Sequence, residues 1–204
     1  NAFFRKYDGT WPTFGDAFRI AKNATYSTAG QSLSHLGNFR KFALLGDPAL
    51  TAAFPRHNIA TEAVLDGHTG LPTDTLKALG KYQISGSIKD ESGNVLDNFN
   101  GRVYVTIYDK VKTARTITGP AYTFKVQNNI IYKGKATVTN GLFSFTFIAP
   151  KDINYDFGKG KISYYAENGV TDAAGSDTTL SIGSSSDYIE PDDAPPVVKP
   201  FMND

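Results

Sequence analysis

Lys81-Tyr-Gln-Ile-Ser-Gly-Ser-Ile-Lys-Asp-Glu-Ser-Gly-Asn-Val-Leu-Asp-Asn-Phe-Asn-Gly-Arg-Val-Tyr-Val-Thr-Ile-Tyr-Asp-Lys110 decides the fold class of this 204-residue chain. Tyr82, Ile84, Gly86 and Ile88 fall on one side of an extended backbone and Gln83, Ser85 and Ser87 on the other, the period-two pattern of a half-buried β-strand. Two breaks follow, Asp90-Glu91-Ser92-Gly93-Asn94 and Asn98-Phe99-Asn100-Gly101. Val103, Val105 and Ile107 then alternate with Tyr104, Thr106 and Tyr108. The segment reads as antiparallel β with no room for a helix.

The same pattern continues downstream. Phe124 and Val126 lead to the run Ile130 to Val138, and Asn140-Gly141 supplies the positive backbone angles of a tight hairpin turn. Beyond it Phe143, Phe145 and Phe147 share a face opposite Leu142, Ser144, Thr146 and Ile148, so the phenylalanine face is assigned to the core. Gly160 to Ala166 gives another strand with Ile162 and Tyr164 on one side. Asp172-Ala173-Ala174-Gly175 reads as a turn, and Thr179 to Ile182 as the last strand. Six to eight short strands with no helix between them define a mainly β fold, an immunoglobulin-like antiparallel β-sandwich.

Residues 1–55 differ in kind. Ala17, Phe18 and Ala21 share a helical face, Pro12 suits a first turn and Thr10 or Thr13 a cap, which predicts a helix over about Thr13 to Thr25. Asn38 to Leu45 leads into the Gly46-Asp47-Pro48 turn, and Leu50 to Pro55 reads as a short strand. One or two helices in so short a stretch are not expected to bury their own apolar faces, so this part is expected to lean on a missing neighbour. The expected organisation is a short helical segment over 1–55, the sandwich over 56–183, and a Ser-, Asp- and Pro-rich extended linker over 184–204. Asn1 without an initiator Met and the closing Pro200-Phe201-Met202-Asn203-Asp204 lead us to expect that both ends are cut from something longer.

Lys plus Arg total 21 against 20 for Asp plus Glu, which leaves no long-range field to steer nucleic acid. The chain has no cysteine, and hence no disulfide, thiolate metal site or cysteine nucleophile of its own. No apolar run has the length of a transmembrane helix. His35, His57 and His68 stand at no spacing that suggests metal ligation, and no Gly-x-Ser-x-Gly elbow is present. No catalytic, cofactor-binding or metal-ligating residue is therefore assigned. Asp90, Asn94 and Asp97, Asp152 and Asp156, and Asp172 and Asp177 gather carboxylates in turns. A calcium-stabilised spacer would use them, but the first loop lacks the ligand count and terminal Glu of an EF-hand, and turn chemistry is the preferred reading. Lys110, Lys112 and Arg115 are assigned to a solvated loop from Val111 to about Tyr122 rather than to an anion site. Tyr104, Tyr108, Tyr132, Tyr155, Tyr164 and Tyr165 offer an alternative, the sugar-binding face of a carbohydrate-binding or adhesin-type module, against core or cross-strand pairing.

Several stretches carry a family resemblance. Phe42-Ala-Leu-Leu-Gly-Asp-Pro-Ala-Leu50 resembles the end of the catalytic domain in gingipain-type cysteine peptidases, where a Leu-Gly-Asp-Pro turn precedes an immunoglobulin-like domain. Asn98 to Gly101 with Val103 to Lys110, Ile131 to Ala136, Asn140-Gly141, Pro150 to Tyr155, Asp172 to Gly175 and Phe201 to Asp204 resemble, in order, the domain that follows it in type IX secretion system sortases. The resemblance implies a cell-surface, outer-membrane-associated protein of Gram-negative bacteria that removes the C-terminal sorting domain of exported cargo and joins the new end to anionic lipopolysaccharide. It implies an upstream peptidase domain, secretion-system components and cargo as partners. The family's catalytic Cys and His would lie before Asn1, and His35, His57 and His68 match neither. The chain itself is then expected to be a non-catalytic scaffold and docking module.

Overall fold

A computed structural model describes residues 4–29 and 41–188, with the side chains of 27–29 left aside. His35, the segment Asn38 to Arg40 and the part of the expected 184–204 linker from residue 189 onward, with the closing Phe201 to Asp204, lie outside the described residues. The chain divides into two compact units, Asn1–Phe54 and Pro55–Asp204.

In the first unit the helix α1 spans Phe14–Ala29, starting where the sequence predicts and running further. Thr13 caps it: its Oγ1 accepts the Asp16 N–H at 3.1 Å and its carbonyl accepts the Ala17 N–H at 2.9 Å. The two remaining first-turn donors, Phe14 N–H and Gly15 N–H, reach the carbonyls of Leu50 (2.8 Å) and Pro48 (2.9 Å). The Gly46-Asp47-Pro48 turn thus closes the helix N-terminus, held by Asp47 Oδ1 accepting from Ala49 N–H at 2.8 Å. Leu50 to Pro55 is not a strand. Its only strand pairing among the described residues is an isolated bridge between Thr13 and Thr51; the Leu50 carbonyl is taken by the Phe14 N–H at the helix end and the Ala52 carbonyl by the Phe54 N–H. Trp11 stacks on Phe54 at 4.1 Å. Pro12 and Ala17 are buried, whereas Phe42 and Leu45 stand 68% and 94% exposed, as expected of a unit too small to cover its own apolar residues. Thr13→Ala is expected to cost about 0.5–2 kcal/mol of local helix stability, read as faster amide exchange across α1 with the sandwich unaffected.

The second unit contains β1 (His57–Asp66), β2 (Thr75–Ala78), β3 (Lys81–Lys89), β4 (Gly101–Tyr108), β5 (Lys112–Arg115), β6 (Thr123–Val126), β7 (Ile130–Val138), β8 (Leu142–Ile148), β9 (Gly158–Lys159), β10 (Lys161–Glu167), β11 (Asp172–Asp177) and β12 (Ser181–Ser185). Seven of them form one hydrogen-bonded series in the order β7-β4-β10-β11-β1-β3-β8. β1 is where the series folds into two layers. Its start pairs in parallel with β11 through His57 and Asn58, and from Asn58 to Asp66 it pairs antiparallel with β3. One layer is β7-β4-β10-β11 and the other β1-β3-β8, the arrangement of an immunoglobulin-like sandwich.

At the opposite side, Asn140 (φ 50°) and Gly141 (φ 73°) form the predicted two-residue turn, closed by reciprocal bonds between Thr139 and Leu142 at 2.9 Å. The strands it joins then part, β7 pairing with β4 and β8 with β3. Between the layers lie Tyr82, Ile84, Ile88, Val103, Val105, Ile107, Phe143, Phe145, Phe147, Ile162 and Tyr164, all buried and on the predicted faces.

Asp172 to Gly175 is the start of β11, not a turn; its small residues are extended because β10 and β1 flank them, with Ala173 fully buried and Gly175 lacking a Cβ that would collide with the Ile59 carbonyl. Val111 to Tyr122 is not one loop, since Lys112–Arg115 pair with Thr123–Val126 as a two-stranded ribbon. The last strand runs over Ser181–Ser185, later than the expected Thr179 to Ile182, and pairs with β2 and β9 in a small second sheet.

Candidate functional site

The outward face of the β7-β4-β10-β11 layer is set by strand register. Reading across it, Lys135, Tyr104, Tyr165 and Ala174 form one row, and Lys133, Thr106, Ser163 and Ser176 the next. A third row runs Thr137, Arg102, Glu167 and Asp172. Tyr104 and Tyr165 are 42% and 44% exposed with ring centroids 6.3 Å apart, a cross-strand aromatic pair open to solvent. The Tyr165 hydroxyl donates to Asp172 Oδ2 at 3.4 Å. Desolvation first, then the Asp172 charge, push that phenol above its usual range, so it stays a donor. The Lys161 ammonium lies 4.9 Å over the Tyr108 ring. Lysines thus line the β7 side, carboxylates the β11 side, and two amphipathic rings sit between them.

The other tyrosines are elsewhere. Tyr164 is buried, its hydroxyl 2.9 Å from Thr61 Oγ1, and burial raises its pKa to about 12. Tyr132 stacks on Phe145 inside the sandwich at 5.4 Å. Tyr155 donates to the Lys151 carbonyl at 3.1 Å. A six-tyrosine sugar face is therefore reduced to Tyr104 and Tyr165, with Tyr108 beside them.

His57 meets Phe99 edge-on at 6.4 Å and His68 stacks on Tyr188 at 3.6 Å, so both rings serve packing. Among the described residues no three His, Asp or Glu side chains are placed to hold a metal ion. Asp90 accepts the Asn94 N–H at 2.8 Å and the Asn94 amide at 3.2 Å, bonds that hold its carboxyl below the usual range and make it a turn anchor. Asp177 likewise caps its own turn through Thr179 N–H at 2.8 Å and Thr179 Oγ1 at 2.7 Å. Asp172 and Asp177 stand at opposite ends of β11 and share no loop.

Lys110 is a further correction. It is not a solvated loop cation: its ammonium is bound to Asp109 Oδ1 at 2.8 Å, to the Asn154 carbonyl at 2.7 Å and to the Ile182 carbonyl at 3.3 Å. Asp109, absent from the sequence reading, is 4% exposed. Its signal was available, because 109 continues the inward parity of Val103, Val105 and Ile107. Lys112 and Arg115 are exposed on the β5–β6 ribbon, as a solvated hairpin end requires.

Sandwich, bridging first strand and tyrosine-bearing outer face define an immunoglobulin-like β module preceded by a short helical unit. No family model and no curated protein matches the chain. Among solved structures it is similar to dimeric latent PorU from Porphyromonas gingivalis, at 28% identity and a TM-score of 0.58 over 91% of this chain. It carries a PorU-like domain, and spans 18% of the length of that PorU chain. The sporulation control protein Spo0M from Bacillus subtilis matches 64% of this chain and 51% of its own, at 14% identity and a TM-score of 0.34. A β-glucosidase from Listeria innocua in complex with gluconolactone matches 70% of this chain and 19% of its own, at 11% identity and a TM-score of 0.27.

Proposed function

We propose that this chain is a non-catalytic scaffold and docking module of a type IX secretion sortase. The observation that carries the reading is the likeness to PorU, which extends over 91% of this chain yet takes up 18% of that one, so most of such a protein lies outside the module. On this reading residues 1–55 close a gingipain-type peptidase domain, the sandwich begins at 56, and, since β12 runs to Ser185 rather than ending at the expected 183, the residues beyond it lead toward a further domain. The parent protein would be exported, act at the cell surface and outer membrane, and supply the catalytic Cys and His from the upstream part. The docking surface is the outer face around Tyr104 and Tyr165, since paired exposed aromatics ringed by charge are the composition of interface anchors.

The test uses the 204-residue chain and the upstream peptidase region as separate proteins. The chain alone is expected to cleave no peptide substrate, with or without thiol. Binding of the upstream region, followed by calorimetry, is expected to weaken about tenfold or more in Tyr104→Ala/Tyr165→Ala at unchanged melting temperature. Peptide cleavage by the chain itself, or binding indifferent to both tyrosines, overturns the proposal. The same exposed pair favours one second reading, a carbohydrate-binding or adhesin-type module. Glycan-array binding lost in Tyr104→Ala would select that reading instead.

A further inference from the structure

The two edge strands of the seven-stranded series differ in how they are protected. β7 carries Lys133 and Lys135, charges that oppose pairing with another strand. β8, Leu142-Phe-Ser-Phe-Thr-Phe-Ile148, carries no charge, no proline and no glycine along its whole length. Such a strand, left at an edge, is a template for a further strand. Its backbone shows which residues present that template. Ile88 N–H donates to the Gly141 carbonyl and Ala149 N–H to the Gly80 carbonyl, so Phe143, Phe145 and Phe147 direct their N–H and C=O groups at β3. Ser144, Thr146 and Ile148 direct theirs away from it. Leu142 spends its own on Thr139 in the turn, and among the described residues no strand pairs with the outer side of β8.

The sequence of this edge is self-complementary when reversed. Antiparallel pairing of two copies about a twofold axis at Phe145 sets Leu142 opposite Ile148, Phe143 opposite Phe147 and Ser144 opposite Thr146. Each position then meets its own chemical class. The parity is also the required one, because Ser144 and Thr146 both face outward and exchange N–H and C=O as a hydrogen-bonded pair. Leu142 and Ile148, 54% and 51% exposed, would cover one another on the outer face. We propose that β8 is a homotypic docking edge, through which two copies of this chain join their β1-β3-β8 layers into one continuous six-stranded sheet with Phe145 at the axis. The proposal rests on the strand and its neighbours alone and is independent of the secretion assignment.

A contact of this length is smaller than the roughly 1,200–2,000 Å² of stable interfaces, so association should depend on concentration. In sedimentation of the full 204-residue chain, the average mass is expected to rise from one chain toward two across a concentration series. Thr146→Pro, which removes an outward N–H at an edge position that tolerates proline, should raise the dissociation constant about tenfold or more. Ser144→Lys, which leaves the backbone intact, should do the same at unchanged melting temperature. Register is read separately, in a chain with no cysteine of its own. A mixture of Ser144→Cys and Thr146→Cys chains should form a mixed disulfide dimer under mild oxidation, while neither alone does. A monomer at every concentration, a dimer indifferent to both edge substitutions, or cross-linking by Thr146→Cys alone would overturn the proposal.

Discussion

Phe145→Ala is expected to lower the unfolding free energy by about 3–5 kcal/mol, whereas Thr146→Ala, one residue along the same strand, should cost little. Phe145 is 9% exposed, stacks on Tyr132 across the layers and lies 6.1 Å from the Phe147 ring. Truncation leaves a cavity bounded by two aromatic rings from strands that cannot close together, since β7 is held by β4 and β8 by β3. Thr146 pairs with Gln83 on the outer face and loses only a hydroxyl and a methyl already in water. Urea denaturation with an unchanged slope is the measurement. Similar small losses at both positions would mean that β8 presents its other face to the core.

Asp109→Ala is expected to cost a comparable amount, about 3–5 kcal/mol, for an electrostatic reason. Asp109 accepts from Lys110 N–H at 2.7 Å, Lys110 Nζ at 2.8 Å and Asn129 Nδ2 at 3.1 Å, at a site where both side chains are almost enclosed. Removal of the carboxylate leaves the Lys110 ammonium with two carbonyls and no counter-ion. Asp109→Leu/Lys110→Met should recover most of the loss, because both costs of desolvation go with the charges. The pH dependence has a definite sign. Burial pushes the Asp109 carboxyl upward, but the Lys110 and Asn129 hydrogen bonds outweigh it and hold the group below its usual range. Its contribution is therefore complete above the unfolded carboxyl pKa of about 4 and is lost as pH falls through the lower folded value. Below about pH 4 the urea midpoint of the native chain should fall more steeply than that of Asp109→Asn; parallel curves would remove the ion pair from the acid response.

What could be seen in the sequence was whatever alternation encodes. β3, β4, β8 and β10 each alternate, and the faces selected by Ile84, Val105, Phe145 and Ile162 are the buried ones, although Ser87 on the other side of β3 is buried as well. The Asn140-Gly141 turn was equally legible, because few dipeptides accept both angles. β11 was not, since Ala, Gly and Ser have weak strand preference and are extended there only because neighbours on both sides bond them. Nor was the fate of the tyrosines: Tyr164 and Tyr165 are adjacent in the chain, so one must point inward and one outward, and composition does not say which carries a site. The candidate face needed the register of four strands, which brings Lys135, Tyr104 and Tyr165 side by side from segments far apart in sequence. Lys110 was not legible because the carbonyls that hold its ammonium beside Asp109 belong to Asn154 and Ile182, segments far away in sequence.

The double membership of β1 also governs how the sandwich comes apart. Its bonds to β11 at one end and to β3 along the rest mean that loosening either sheet strips amides belonging to both. Melting of one sheet while the other persists is thereby disfavoured, and slow amide exchange in β3 and β10 should report a single opening event. A domain tied in this way has one threshold, below which it holds its surfaces rigid and above which it surrenders them together.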